Sequence, residues 1–202
     1  MQDQSKYFMK DPCMNPVERS IKLRIEADFI LQDVKLYEII GSDRRVTPTG
    51  SYYLDLLMYP DIDLYISKVS IEEIFAIGEQ FAKGERVIQV VFERSRIKQL
   101  PGGLYLKLRV GFGNWGRPWK IDIWSVDDIV VDEKMKEVDH FKAQLTPHLR
   151  EQILKYKCSV LTKGHRTPMY SGHFIYKAFI DEGLTDYGDI TKYLVTHGIR
   201  ME

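Results

Sequence analysis

Apolar positions along this chain change their period several times, and each change marks an element. Asn15-Pro16-Val17-Glu18 opens a helix, with Asn15 as N-cap, Pro16 at the first helical position and Glu18 placed to reach back. Val17, Ile21, Ile25, Phe29, Ile30, Val34, Tyr37 and Ile40 then trace a stripe at spacings of three and four, stopped by Gly41. At about 1.5 Å per residue this packing helix would run about 35–40 Å, so a break is expected near Gln32-Asp33. Asp43 to Thr49 leads on as a strand that Pro48 confines to a short, bulged or edge position. Arg44 and Arg45 read as a solvated surface pair. Tyr52 to Met58 winds as a brief helix entered through Gly50-Ser51, and Pro60 ends it because its ring excludes Tyr59 from the helical region.

From Asp61 to Ser67 the period falls to two. Asp61, Asp63 and Tyr65 take one strand face, and Ile62, Leu64 and Ile66 the other. Ser70-Ile71-Glu72-Glu73 is a capping box for a helix through Lys83, with Ile71, Ile74, Phe75, Ile77 and Phe81 inward and Gly84 at its end. Strands follow over 87–93, 104–112 and 119–124, separated by Pro101-Gly102-Gly103 and Gly113-Asn114-Trp115-Gly116. Ser125 to Asp128 reads as another capping box, and the remainder as helices over 127–143, 147–161, 172–183 and 187–197. The pattern predicts an α+β protein: a loose arm over 1–14, a mixed β-sheet flanked by helices over 15–130, and a helical region over 131–202.

Composition narrows the function classes. The chain has 202 residues, 44% hydrophobic and 29% charged, with 29 basic residues against 29 acidic. That describes a globule with a substantial core, and the charge balance argues against a protein that coats nucleic acid. Cys13 and Cys158 form no zinc or CxxC spacing and fit reduced thiols in a cytoplasmic protein. The first residues lack the apolar core of a signal peptide, and no run reaches transmembrane length. Gly111 to Gly116 formally matches GxGxxG, but Arg117-Pro118 and a strand follow where a dinucleotide site needs a helix, so it reads as a hairpin turn. The five histidines show no ligand spacing, and Tyr170 and Tyr176 read as helix-packing residues before base-stacking ones.

The chemistry concentrates in Gly50-Ser51, nine residues of spacer, then Asp61-Ile62-Asp63-Leu64. Glycine allows an anion close to the backbone, the serine hydroxyl adds a donor, and a helix start attracts phosphate. Asp61 and Asp63 lie about 6.5–7 Å apart along a strand, close enough to lean onto one Mg²⁺ or onto two ions roughly 4 Å apart. Mg²⁺ prefers a few carboxylates plus substrate phosphates. A third carboxylate, Asp122, alternates with Ile121 and Ile123 inside an apolar strand, where it is costly unless paired or metal-bound.

Gly50-Ser51, the nine-residue gap, Asp61-Ile62-Asp63-Leu64 and the later Asp122 resemble, in order and spacing, the nucleotidyltransferase superfamily related to DNA polymerase beta. The resemblance covers residues 15–130 as a catalytic core. The tail from Tyr170 to Leu184 is similar to that of small bacterial nucleotidyltransferases, some grouped with antibiotic-modifying enzymes. Thr49 stands where an apolar residue is usual, Pro60 where serine often precedes the first aspartate, and Ser51 to Met58 lacks the basic residue many members carry. Lys163, His165 and Arg166, with Lys120 beside Asp122, are the candidates to supply that charge.

The resemblance implies transfer of a nucleoside monophosphate from an NTP to a hydroxyl acceptor, a small molecule such as an antibiotic. Asp61, Asp63 and Asp122 would be catalytic and hold Mg²⁺ or Mn²⁺, with Asp122 also lowering the pKa of the acceptor hydroxyl or taking its proton. Gly50, Ser51, Lys163 and Arg166 would bind the nucleotide. An RNA-end transferase fits the zero net charge less well. The alternative is a non-catalytic, antitoxin-like module of the same fold that binds a nucleotide or a partner, and homodimerisation is open to either.

Overall fold

The computed structural model describes residues 14–96, 99–162 and 166–201. Nearly all of the expected arm, with Cys13, Lys163 and His165, lies outside the described residues. The first helix, α1 (Pro16–Asp33), starts where Asn15 Oδ1 accepts the Val17 N–H at 2.8 Å. The chain breaks at Lys35, which takes a left-handed φ of 52°, and resumes as α2 (Leu36–Ile40) up to Gly41.

The break falls close to the expected point, and the expected stripe is buried only in part, at Ile30, Val34 and Ile40. Leu23, Ala27, Ile30, Leu31 and Val34 are sealed in the core, whereas Ile21, Ile25, Phe29 and Tyr37 lie largely in solvent, Ile25 with 65% exposure. A two-residue offset turns a helix position by about 200°, so Leu23-Ala27 and Ile21-Ile25 occupy opposite faces. Both spacings are apolar, and contact with the sheet decides between them.

Strand β1 (Val46–Thr49) is followed by α3 (Gly50–Tyr53), β2 (Asp61–Ser67) and α4 (Ile71–Ala82). Next come β3 (Val87–Arg94), β4 (Leu104–Val110) and β5 (Trp119–Val126). The expected helix to Met58 is only the single turn α3. Asp55 takes a φ of 58°, and Leu54, Leu56 and Met58 are drawn into the core of the C-terminal helices. Tertiary burial overrides the local helical preference. The Ser70 capping box forms in full at the start of α4. Phe75, expected inward there, is 54% exposed beside Phe92, while Ile74, Ile77 and Phe81 are buried.

The five strands form one mixed sheet in the order β1-β2-β5-β4-β3. Only β2 and β5 run parallel; the other neighbours are antiparallel. Pro48 sits in β1, an edge strand, as its missing N–H requires. One face of the sheet, carrying Ile62, Leu64, Leu106, Leu108, Ile121 and Ile123, packs with α1, α2 and α4 into a single apolar cluster. The other face carries Asp61, Asp63 and Asp122.

The helices α5 (Asp128–Gln144), α6 (Pro147–Ser159), α7 (Ser171–Ile180) and α8 (Tyr187–Thr196) complete the chain. Cores from α5 to α8 merge with Leu54, Leu56 and Met58 in a second cluster. The capping box expected at Ser125 does not form. Ser125 is buried inside β5, its Oγ accepts the Val69 N–H at 2.9 Å, and Asp127 is the N-cap of α5. No helix among the described residues is long and apolar enough to cross a membrane.

The two faces of α1 give a direct test. Leu23→Ala should cost about 2–5 kcal/mol as a cavity in the core, whereas Ile25→Ser should stay within about 0.5 kcal/mol. Urea unfolding of both variants measures this, and equal losses would contradict the observed face.

Candidate active site

Parallel pairing of β2 with β5 brings the three aspartates together. Asp63 lies directly across from Asp122, and Asp61 from Lys120, on strands about 4.8 Å apart. Hydrophobic alternation fixes this register, because a slip of one residue would turn Ile62, Leu64, Ile121 and Ile123 out of the core. The carboxylates therefore face the same side because their neighbours must face the other.

Gly50 meets them from the edge of the sheet. Thr49 pairs with Asp63 in the β1–β2 ladder, and Gly50 turns away with a φ of 60°. A Cβ at Gly50 would come within 2.7 Å of Asp63 Oδ2. Both the conformation and the space demand glycine. The one-turn α3 adds little dipole, since the dipole sums over aligned peptides.

Lys157 on α6, which sequence reasoning missed, brings a basic side chain to the Gly-Ser turn. Its side chain is buried, and Nζ donates to the Leu56 carbonyl at 2.6 Å, to Ser51 Oγ at 2.9 Å and to the Tyr176 hydroxyl at 3.0 Å. Ser51 Oγ and the Tyr176 hydroxyl are themselves 2.8 Å apart. Burial pulls the Lys157 amine down to about 7, against the attraction of Asp61 and Asp63. A signal existed: Lys157 follows Ile153 and Leu154 at helical spacing, on the buried stripe of α6.

The aspartates are balanced by other groups. Lys120 Nζ lies 2.7 Å from Asp122 Oδ2 and 3.0 Å from Asp61 Oδ1. Against its burial, Asp61, Asp122 and Asp63 hold Lys120 above the ordinary lysine range. The Tyr105 hydroxyl, from β4, donates to Asp122 Oδ1 at 2.7 Å, and its ring stacks on Trp124. Burial and then Asp61 and Asp122 push the Asp63 carboxyl well up. Burial also raises Asp61, with Lys120 opposing.

The donor set fits a hard divalent ion. It is made of carboxylates, and Asp61 Oδ1 is buried, off the line of a hydrogen bond from Lys120 and without another partner among the described residues. Among the described residues no three His, Cys, Asp or Glu side chains are themselves arranged to hold a metal ion. The arrangement suits an ion that takes its remaining ligands from substrate phosphate.

A cleft of about 500 Å³ opens above the aspartates, walled by Tyr59, Arg117, the segment from Arg166 to Tyr170 and the start of α7. Arg166 is exposed on this wall, and Thr162 N–H donates to its carbonyl at 2.7 Å. Tyr170 is 80% exposed on the rim, whereas Tyr176 is buried against Phe141, so the packing expectation holds for Tyr176 only. Ser171 Oγ is buried at the same wall without a partner among the described residues. Arg44 and Arg45 pair with Glu73 and Asp132 away from the cleft.

No protein-family profile and no curated protein matches the sequence. Solved structures do. The Cid1 poly(U) polymerase with MgGTP bound is 17% identical, over 69% of this chain and 43% of that one, with a TM-score of 0.48. The non-canonical poly(A) polymerase complex GLD-2–GLD-3 is 10% identical over 84% and 60%, with a TM-score of 0.49. The GLD-2/RNP-8 complex is 11% identical over 84% and 62%, with a TM-score of 0.47. The chain thus spans less than half of the Cid1 chain and about three-fifths of GLD-2. By their names the first is a poly(U) polymerase and the second contains a poly(A) polymerase.

Lys157 sets a pH dependence. An unfolded lysine titrates near about 10.4, while the folded amine sits at about 7. Between those values the unfolded chain binds the extra proton, so this residue makes stability rise with pH. Below the folded value both states are protonated and the contribution is flat. In denaturant titrations, the wild type should gain on Lys157→Met as pH is raised from about 7 to 9. A pH-independent difference would exclude a depressed amine.

Proposed function

We propose that this protein is a divalent-metal-dependent nucleotidyltransferase, moving a nucleoside monophosphate from an NTP to a hydroxyl acceptor. The observation that carries the reading is the set of three carboxylates on neighbouring β2 and β5, with the Gly50 backbone against Asp63 and the Ser51–Lys157 pair beside it. The acceptor we favour is a small molecule such as an antibiotic. A cleft of about 500 Å³ suits a ligand of that class, and the tail resemblance points the same way.

Asp61, Asp63 and Asp122 would hold Mg²⁺ or Mn²⁺. The ion would supply Lewis-acid polarisation of the phosphoryl group and neutralise developing charge. Ser51 Oγ and the Lys157 ammonium would grip the terminal phosphates, with Gly50 leaving room for their approach. Arg166 would add charge from the cleft wall, as would Lys163 from the adjoining segment. Asp122, oriented by Tyr105, would accept the proton of the attacking hydroxyl. Such catalysis is mostly positioning and electrostatics.

Isothermal titration of ATP, GTP, CTP and UTP with Mg²⁺, on wild type and the Asp61→Ala/Asp63→Ala double variant, tests the site. Metal-dependent binding should be lost in the double variant. In an acceptor screen that includes RNA ends, Asp63→Ala should lower transfer at least about a hundredfold, the scale of losing one preorganised charged group, with an unchanged circular dichroism spectrum. Metal-dependent nucleotide binding that survives in the double variant would sink the assignment.

A further inference from the structure

Lys120 stands in an unusual place among the carboxylates. It precedes Asp122 by two residues on β5 and lies across from Asp61 on β2, so its side chain shares their face. Its ammonium reaches one oxygen of each: Asp61 Oδ1 at 3.0 Å and Asp122 Oδ2 at 2.7 Å. The remaining Asp122 oxygen, Oδ1, is taken by the Tyr105 hydroxyl. Asp61 Oδ1 has no hydrogen-bond partner among the described residues. One oxygen of the first aspartate and the remaining oxygen of the third are thus both turned to one point, and a tethered cation fills it. All three side chains are largely withdrawn from solvent, with 13% of Asp61, 11% of Asp122 and 21% of Lys120 exposed.

We propose that Lys120 is a built-in counter-ion for the bridging position between Asp61 and Asp122, and that a divalent ion enters there only as the ammonium moves out. The inference rests on the metal reading of the site given above. Two cations cannot share one pair of oxygens in a poorly solvated site, where like charges repel strongly. The free ion therefore competes with a lysine that is already in place. An ion arriving with a triphosphate meets a different balance, because the phosphates offer the displaced ammonium new anionic partners. Lys120 thereby couples ion entry to nucleotide arrival: it keeps the carboxylates compensated without substrate and weakens binding of the bare ion.

The test is Mn²⁺ binding without nucleotide, followed by calorimetry and by the loss of the free-ion electron paramagnetic resonance signal. Lys120→Met keeps the chain length and removes the charge, and it should bind Mn²⁺ about tenfold tighter than wild type, one decade being the scale of a close charge pair. Lys120→Arg keeps the charge and should show no such gain. Lys107→Met controls for general electrostatics, because Lys107 faces Asp122 from β4 without an ion pair among the described residues. It should stay within about twofold.

A wild-type measurement covers the case of a misfolded variant. Acetylation of Lys120 by acetic anhydride, read by mass spectrometry, should rise as Mn²⁺ saturates the protein. Equal Mn²⁺ affinity in wild type and Lys120→Met, or Lys120 reactivity unchanged by the ion, would overturn this inference alone. Absence of Mn²⁺ binding in both proteins would overturn the metal reading, and the inference with it.

Discussion

Placing three carboxylates on one face of neighbouring strands is the costly step on which the rest of the molecule depends. Burial and mutual repulsion both penalise the charged forms, as the raised Asp61 and Asp63 carboxyls record. The parallel β2–β5 pairing enforces the proximity, and the apolar residues between the aspartates leave no other register. Compensation then comes from several directions: Lys120 from β5, Tyr105 from β4 and, at longer range, Lys157 from α6. Each sits on an element whose position is set by apolar packing on its other side.

Lys157 also ties the sheet to the C-terminal helices. Its bonds to Ser51 and the Leu56 carbonyl link α6 to the Gly-Ser turn, and Tyr176 draws α7 to the same point. The short segment from Leu54 to Met58 gives up helix to bury its apolar side chains against α6 and α7. Its carbonyl at Leu56 is then available to the buried lysine. A basic side chain reaches the Gly-Ser turn in this way from a residue 106 positions away from Ser51.

What could be read from the sequence was what obeys a period or a fixed spacing. The alternation in Asp61 to Ser67 gave the correct faces, and the glycine before Ser51 proved necessary because a Cβ there would strike Asp63. Asn15 and Ser70 cap helices as their chemistry suggests. The misreadings arose where two local solutions were equally good. On α1 two apolar stripes compete, and only the sheet selects Leu23 over Ile25. At Ser125 a capping pattern coincides with a buried hydroxyl position in β5. Lys157 was hidden because a lysine on an amphipathic helix reads as surface unless its partners, Ser51 and Tyr176, are already in view.

The same logic separates the two sides of the cleft. Its floor is made of strand residues, whose direction follows from alternation, so the grouping of Asp61, Asp63 and Asp122 can be inferred from spacing. Its far wall runs from Arg166 to the start of α7, where Tyr170 adopts a left-handed φ of 63° and the buried Ser171 hydroxyl has no partner among the described residues. No repeating pattern governs such a segment, and an unpaired buried hydroxyl is tolerated only at a cost. A ligand group at that wall would relieve the cost, which makes it the part of the site able to distinguish one acceptor or base from another. On the proposed reading, selectivity would reside in the residues least constrained by the fold, and the transfer chemistry in those the fold constrains most.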